Sequence, residues 1–400
     1  MAITINYEPS GFHSAHNPMY IELQSTNSAQ AQFKYIFDIY VNNAFASRQR
    51  VFPDPTDDKG YLNISNIVRD YFDDAQAVVT AGSSTPVELG QGEFYVDFYG
   101  IYGEDYSGSP FVSGTASGGN YKAYNWTQSR FQRKILNSQV SGTNYFSALE
   151  DYRNYFVTNR PQNTKVYYGQ PLIMTYWGYP AEPPVDAALS DVKFFNVNGG
   201  IETPTTILDD VEVSLPVVFD VGQLILTTDE KNYIRAYRST SDTIVRAELS
   251  FVPICHPRYE PVTLMFLNRQ GGWDSYTFGL FNQISIDADK KSFGQNPYIG
   301  RSDLIGGGFV RETTKVFSVQ YKNKWKLTGD NLTTDEYVWL EELFTSPLVY
   351  VYIEDTAAER QWHPVVISET NYQLKNNLVD KQNFIELNIE FSEPNNSQYR

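Results

Sequence analysis

Cysteine is nearly absent. Cys255 is the single one in 400 residues, so no disulfide can form within the chain. That suits a reducing compartment, although a disulfide-free secreted protein would look the same. Histidine and methionine are equally scarce, at four each. Basic residues fall short of acidic ones, 31 against 47, which leaves a formal net charge of −16. Such a surface repels phosphate backbones, so general nucleic-acid binding is not expected. The basic residues come singly or in short groups such as Arg48-Gln49-Arg50 and Lys322-Asn323-Lys324-Trp325-Lys326. No apolar run approaches the roughly 18 to 20 residues of a membrane helix, and membrane insertion is not expected. The opening MAITINYEPSGF has neither a basic n-region nor an apolar h-region, so it does not read as a signal peptide.

Catalytic patterns are missing too. No GxSxG, Walker A, HExxH or GxGxxG motif occurs, and Gly306-Gly307-Gly308 lacks the Lys and Ser/Thr of a phosphate loop. His13 and His16 stand three apart, but Gly11 and Pro18 point to a loop, and no further ligand completes a metal set. Cys255 and His256 are adjacent; on an extended strand they would face opposite ways and could not form a thiolate–imidazolium pair. Asp57-Asp58, Asp73-Asp74, Asp209-Asp210 and Glu341-Glu342 are neighbours in sequence, whereas glycosidases take their two carboxylates from separate elements. No catalytic residue, metal or cofactor is expected.

Aromatic residues are abundant, with 30 Tyr, 25 Phe and 6 Trp, alongside 26 Gly and 20 Pro. Aromatic and β-branched side chains suit half-buried strands, and Gly and Pro punctuate them. The composition predicts a mainly β protein of several sandwich-type modules. FKYIFDIYV (33–41) alternates, with Phe33, Tyr35, Phe37, Ile39 and Val41 on one face. Asn63 is placed to cap a short helix whose apolar face carries Ile64, Ile67, Val68, Tyr71 and Phe72. With the strand EFYVDFYGIY (93–102) these make an N-terminal domain over 1–110.

Residues 103–120 are rich in Gly and Ser and read as a mobile loop, opening an insertion and linker over 111–188. The fold of 121–160 is not legible. Pro180, Pro183 and Pro184 mark the stiffest linker. A small β domain over 189–255 follows, then a β domain with one helix over 256–400. LTTDEYVWLEELF (332–344) carries a capping box, Thr333 with Glu336, and an apolar stripe of Tyr337, Leu340 and Phe344. Trp273, after Gly271-Gly272, is expected in the core of that last domain, with Asp274 bracing the turn. Tyr102, Tyr106, Tyr121, Tyr124 and Trp126 flank the Gly-rich loop. They could stack on sugars, or pack on each other or on a neighbouring subunit. The four sequons, at Asn63, Asn125, Asn331 and Asn395, carry meaning only after secretion.

NPMYIEL, FKYIFDIYVN and YLNISNIVRDYF, the central YFVTNRP, and VTLMFLNRQGGWDSYTF followed by a single helix resemble virion proteins of tailed bacteriophages. The similarity is to structural proteins of phages of Bacteroidota hosts, the crAss-like group included, and spans most of the chain. A β-sandwich with one packed helix is also similar to the tail-tube and distal-tail module, as a fold analogy. The resemblance implies a non-enzymatic tail or baseplate component, assembled in the host cytoplasm. It would join other copies of itself and other virion proteins through strand edges and loops, as a ring or adaptor. The alternative is a carbohydrate- or receptor-binding module using the aromatic loop around 102–126.

Overall fold

The computed structural model describes residues 3–9, 12–72, 84–107, 109–125, 155–177, 189–212, 216–225, 230–237, 245–254, 259–280, 282–294, 314–329, 332–354, 360–368 and 385–391. Among them the chain is mainly β, in five sheets, with two α-helices, Ser65–Arg69 and Thr334–Thr345. The architecture is multidomain and β-sandwich-like. Two compact units divide it: Met1–His256 with Met265–Tyr276 and Thr345–Pro347, and Pro257–Leu264 with Thr277–Phe344 and Leu348–Arg400. The boundaries read at residues 110 and 188 lie inside the first unit.

The first unit begins with a sandwich. A three-stranded sheet (Ile3–Tyr7, Tyr20–Ser25, Gly60–Asn63) and a six-stranded one (Phe12–Ser14, Tyr121–Tyr124, Tyr95–Tyr106, Lys34–Val41, Ala44–Val51, with Ser109–Ser117 on the long strand) share one core. The alternation of 33–41 puts Phe33, Tyr35, Phe37, Ile39 and Val41 into it, all buried. On the other face Asp38 is buried as well, held by Arg48 through two hydrogen bonds of 2.6 and 2.8 Å. The helix is shorter than its apolar periodicity predicts, and Asn63 lies one residue before the cap. Asn63 Oδ1 accepts the Ser65 and Met19 N–H groups, so it ties a strand end to the helix start.

Two corrections concern the middle of the chain. The Gly/Ser-rich stretch is no loop: Ser109–Ser117 pairs antiparallel with Tyr95–Tyr106 across two register shifts. Ladder bonds are backbone bonds, and bulges absorb residues that composition assigns to a loop. Second, the strands before residue 188 and those after it build one sandwich. A four-stranded sheet (Tyr155–Phe156, Ile173–Trp177, Val217–Asp220, Val87–Glu88) and a five-stranded one (Thr164–Tyr167, Val245–Ile254, Lys231–Tyr237, Leu189–Asn198, Ile201–Glu212) bury Met174, Tyr176, Phe194, Phe219, Ile234 and Phe251 together. The Pro-rich linker at 179–188 lies outside the described residues.

The last sheet has seven strands in the order Trp273–Phe278, Val262–Leu267, Val349–Glu354, Arg360–Ile367, Glu386–Phe391, Thr314–Thr328, Gln283–Gly294. Its helix Thr334–Thr345 carries the expected capping box. Thr333 N–H donates to Glu336 Oε2 at 2.8 Å, and Glu336 N–H to Thr333 Oγ1 at 3.2 Å. Tyr337, Trp339, Leu340 and Leu343 are buried on this helix, while Phe344 is half-buried.

Candidate assembly surface

The tyrosines that flank the Gly-rich stretch are mostly interior. Tyr102 and Tyr124 are buried, and Tyr106 and Tyr121 are half-buried against the first core. Tyr102 and Tyr121 both donate their hydroxyls to Glu8, at 2.5 and 2.6 Å. Burial first, and the Glu8 carboxylate second, push the Tyr121 phenol up to about 12 and raise Tyr102 further. Rings locked to an internal carboxylate offer no sugar platform. The glycan role read for Tyr102 and Tyr124 is therefore corrected by their burial; Trp126 lies outside the described residues.

His13 lies on the strand Phe12–Ser14, so His13 and His16 do not share a helical turn. His16 Nε2 sits 2.7 Å from Asn125 Oδ1, and Asn125 Nδ2 donates to the Glu93 carbonyl. That also fixes the sequon residue Asn125, which is buried. Among the described residues no three His, Cys, Asp or Glu side chains converge on a metal position. Cys255-His256, Asp73-Asp74 and Gly306-Gly307-Gly308 lie outside those residues.

Two of the segments on which the phage resemblance rests, VTNRP and NRQGGWDS, meet in one buried polar network of the first unit. Asn268 Nδ2 donates to the Val157 carbonyl at 2.6 Å, and its Oδ1 accepts the Gln270 and Gly272 N–H groups. Thr158 donates to Asp274 Oδ2 at 2.6 Å, Gln270 donates to Asn159, and Arg160 donates to the Ser275 carbonyl. Thr175 Oγ1 accepts the Trp273 N–H at 2.7 Å. The glycines are required by close approach. A Cβ on Gly271, whose φ is +81°, would stand 2.5 Å from the Asn125 carbonyl oxygen, and one on Gly272 2.5 Å from that of Val157. Trp273 is 2% exposed, and Asp274 does brace the turn. Both belong to the first unit, not to the C-terminal domain where Trp273 was expected. This network is a structural clamp, built of bonds between segments distant in sequence.

The exposed surface of interest is the hairpin of Gln283–Gly294 and Thr314–Thr328, in the second unit. Twelve antiparallel residue pairs hold it together, from Gln283 opposite Lys326 to Gly294 opposite Thr314. A strand of this length spans about 40 Å. Gln283–Gly294 ends the seven-stranded sheet, and every one of its residues is exposed. Opposed residues share a face. Leu327 opposite Leu387, and Trp325 opposite both Ile389 and Ile284, therefore put one apolar stripe across the sheet. Leu327, Leu387 and Ile389 in that stripe are buried, and Trp325 packs edge-on against Phe391. Further out the cover ends: Ile284 and Ile286 are each 66% exposed.

The opposite face is charged. Lys324 binds Glu390 and Asp287, both at 3.0 Å, and these carboxylates, Glu390 first, hold its ammonium above the usual lysine range. Phe293 and Phe317 pair near the distal end, 6.0 Å apart and half exposed. Sequence reading passed over this arm. Its signal was the alternation of QISIDADKK, short and split by charge, which resembles an ordinary surface strand.

The sequence matches no protein-family model and no curated protein. Among solved structures, the FN1–FN3 domains of chicken CNTN1 are 6% identical over 59% of this chain and 60% of that one, with a TM-score of 0.18. The full extracellular region of plexin A4 is 9% identical over 98% of this chain, with a TM-score of 0.20; the chain covers 36% of the form with domains 1 to 8 and 31% of that with domains 1 to 10. The chain thus spans less than two thirds of the length of each, and likenesses at these TM-scores say nothing of its function.

Proposed function

We propose that this chain is a non-enzymatic structural subunit of a phage virion, in the tail or baseplate, that assembles through strand edges. The observation that carries the reading is the arm Gln283–Gly294/Thr314–Thr328, whose outer strand is exposed along its whole length and bears Ile284 and Ile286 uncovered. A two-stranded hairpin alone in water is marginally stable, and an open apolar edge invites another chain. An arm of this kind gains stability once a neighbouring subunit covers it. The virion assignment adds the resemblance of the segments quoted above, two of which build the internal clamp. The burial of Tyr102 and Tyr124 and the bonds of Tyr102 and Tyr121 to Glu8 favour this reading over glycan capture.

Negative-stain microscopy with light-scattering mass on the concentrated protein tests it. Rings, stacked tubes or another closed assembly of defined symmetry are the expected result. A monomer at every concentration would remove the self-assembling reading.

A further inference from the structure

Two strands end their sheets in this chain and are long enough to matter: Gln283–Gly294 in the seven-stranded sheet and Ile201–Glu212 in the five-stranded sheet, twelve residues each. Among the described residues each pairs along one edge only, with Thr314–Thr328 and with Leu189–Asn198. The other edge of each presents a row of backbone donors and acceptors.

Their charges differ. The outer strand of the arm carries Lys290 and Lys291 with Asp287 and Asp289, and Lys324 of the inner strand is paired with Asp287. The hairpin as a whole has six lysines against two aspartates, net +4, in a chain whose total is −16. Lys290 and Lys291 have no ion-pair partner among the described residues and stand exposed on the outer strand. Ile201–Glu212 contains Glu202, Asp209, Asp210 and Glu212 and no basic residue. Apolar side chains are uncovered on both: Ile284 and Ile286 on the arm, Ile201 at 71% exposure on the acidic strand. Pro204 lacks an N–H and blunts the start of the acidic edge, which leaves the pairing to its later part, where Asp209, Asp210 and Glu212 stand.

Resting on the assembly reading above, we propose that the outer strand of the arm adds to the acidic edge strand Ile201–Glu212 of a second copy. The backbone ladder supplies most of the contact, and lysine against acid sets which edges meet and speeds their encounter. Because the two edges differ, the contact is head-to-tail: it closes into a ring or runs on as a filament. The acidic edge repels its own copy, so its charge disfavours the symmetric pairing of two Ile201–Glu212 strands.

Sedimentation velocity of the full chain across concentration, at low and at high salt, tests this with charge-changing substitutions at exposed sites. Lys290→Glu with Lys291→Glu, and separately Thr206→Lys with Asp209→Lys, are each expected to weaken self-association at least about tenfold, with circular dichroism unchanged. Combining all four again sets acid against lysine at the changed positions and recovers association to within about threefold of wild type. If the single-side variants assemble as wild type does, or the combination fails to recover, the edge pairing is overturned while the assembly reading stands. If wild type stays monomeric throughout, both fall.

Discussion

Thr158 and Asp274, 116 residues apart in sequence, are joined by a 2.6 Å hydrogen bond from the threonine hydroxyl to Asp274 Oδ2. Asp274 is wholly buried and also accepts from Asn268 Nδ2 at 3.2 Å. Asp274→Ala would take the acceptor from the Thr158 hydroxyl and one of the two acceptors of Asn268 Nδ2, besides emptying a buried site, and each unmet group costs about 1–3 kcal/mol. Expected is a loss of about 3 kcal/mol in urea unfolding, against about 1–2 kcal/mol for Thr158→Val. Equal stability of Asp274→Ala and wild type would show that the clamp contributes nothing.

Trp273→Ala removes a side chain that is 2% exposed. The cavity predicts a loss of about 3–5 kcal/mol. The structure also predicts where the loss is felt. Hydrogen exchange should accelerate in Tyr155–Phe156 and Ile173–Trp177, whose Thr175 binds the Trp273 backbone. Acceleration confined to Val349–Glu354 and Arg360–Ile367 would return Trp273 to the C-terminal core read from sequence.

Tyr102→Phe deletes one of the two hydroxyls on Glu8 and should cost about 2 kcal/mol, the range of a hydrogen bond to a charged group. Alkali should act on the same cluster. The folded state raises the Tyr121 pKa, so this contribution is complete below the ordinary value near 10 and is lost as pH climbs from there to about 12. Unfolding midpoints and tyrosinate absorbance over that window provide the readout. A Tyr102→Phe protein that keeps its stability but loses binding to a glycan would reinstate the sugar platform.

Acid should act through His16. Burial lowers its pKa most, Arg69 adds to that, and the Asn125 hydrogen bond opposes both. A depressed histidine contributes stability that is complete above its ordinary value of 6.5 and is lost as pH falls from there through the folded value. His16→Gln, which keeps a donor for Asn125, should flatten the fall in urea midpoint below pH 6.5. Parallel pH profiles for the two proteins would assign that fall to other groups.

Much of this fold is local in origin, and those parts were legible. Phe33 to Val41 alternate because one face of the strand is core, and Thr333 with Glu336 caps a helix by bonds that span a single turn. The mainly β class follows from composition. The absence of catalytic spacing in the sequence follows from the residues themselves.

Pairing partners were decided by tertiary structure alone. Ser109–Ser117 forms a strand because Tyr95–Tyr106 lies beside it, and no side chain announces a backbone ladder. Met174 and Phe194 share a core across a Pro-rich stretch that composition marks as a boundary. Gly271 and Gly272 read as a turn, yet what demands them is the approach of the Asn125 and Val157 carbonyls, distant in sequence. Tyr102 carries an amphipathic ring whether buried or exposed; the position of Glu8 settled which. Ile284 and Ile286 are the converse: their alternation would suit a buried strand, and only the three-dimensional arrangement leaves them uncovered. Propensity and capping act over a few residues, whereas burial is a property of which distant segments come together.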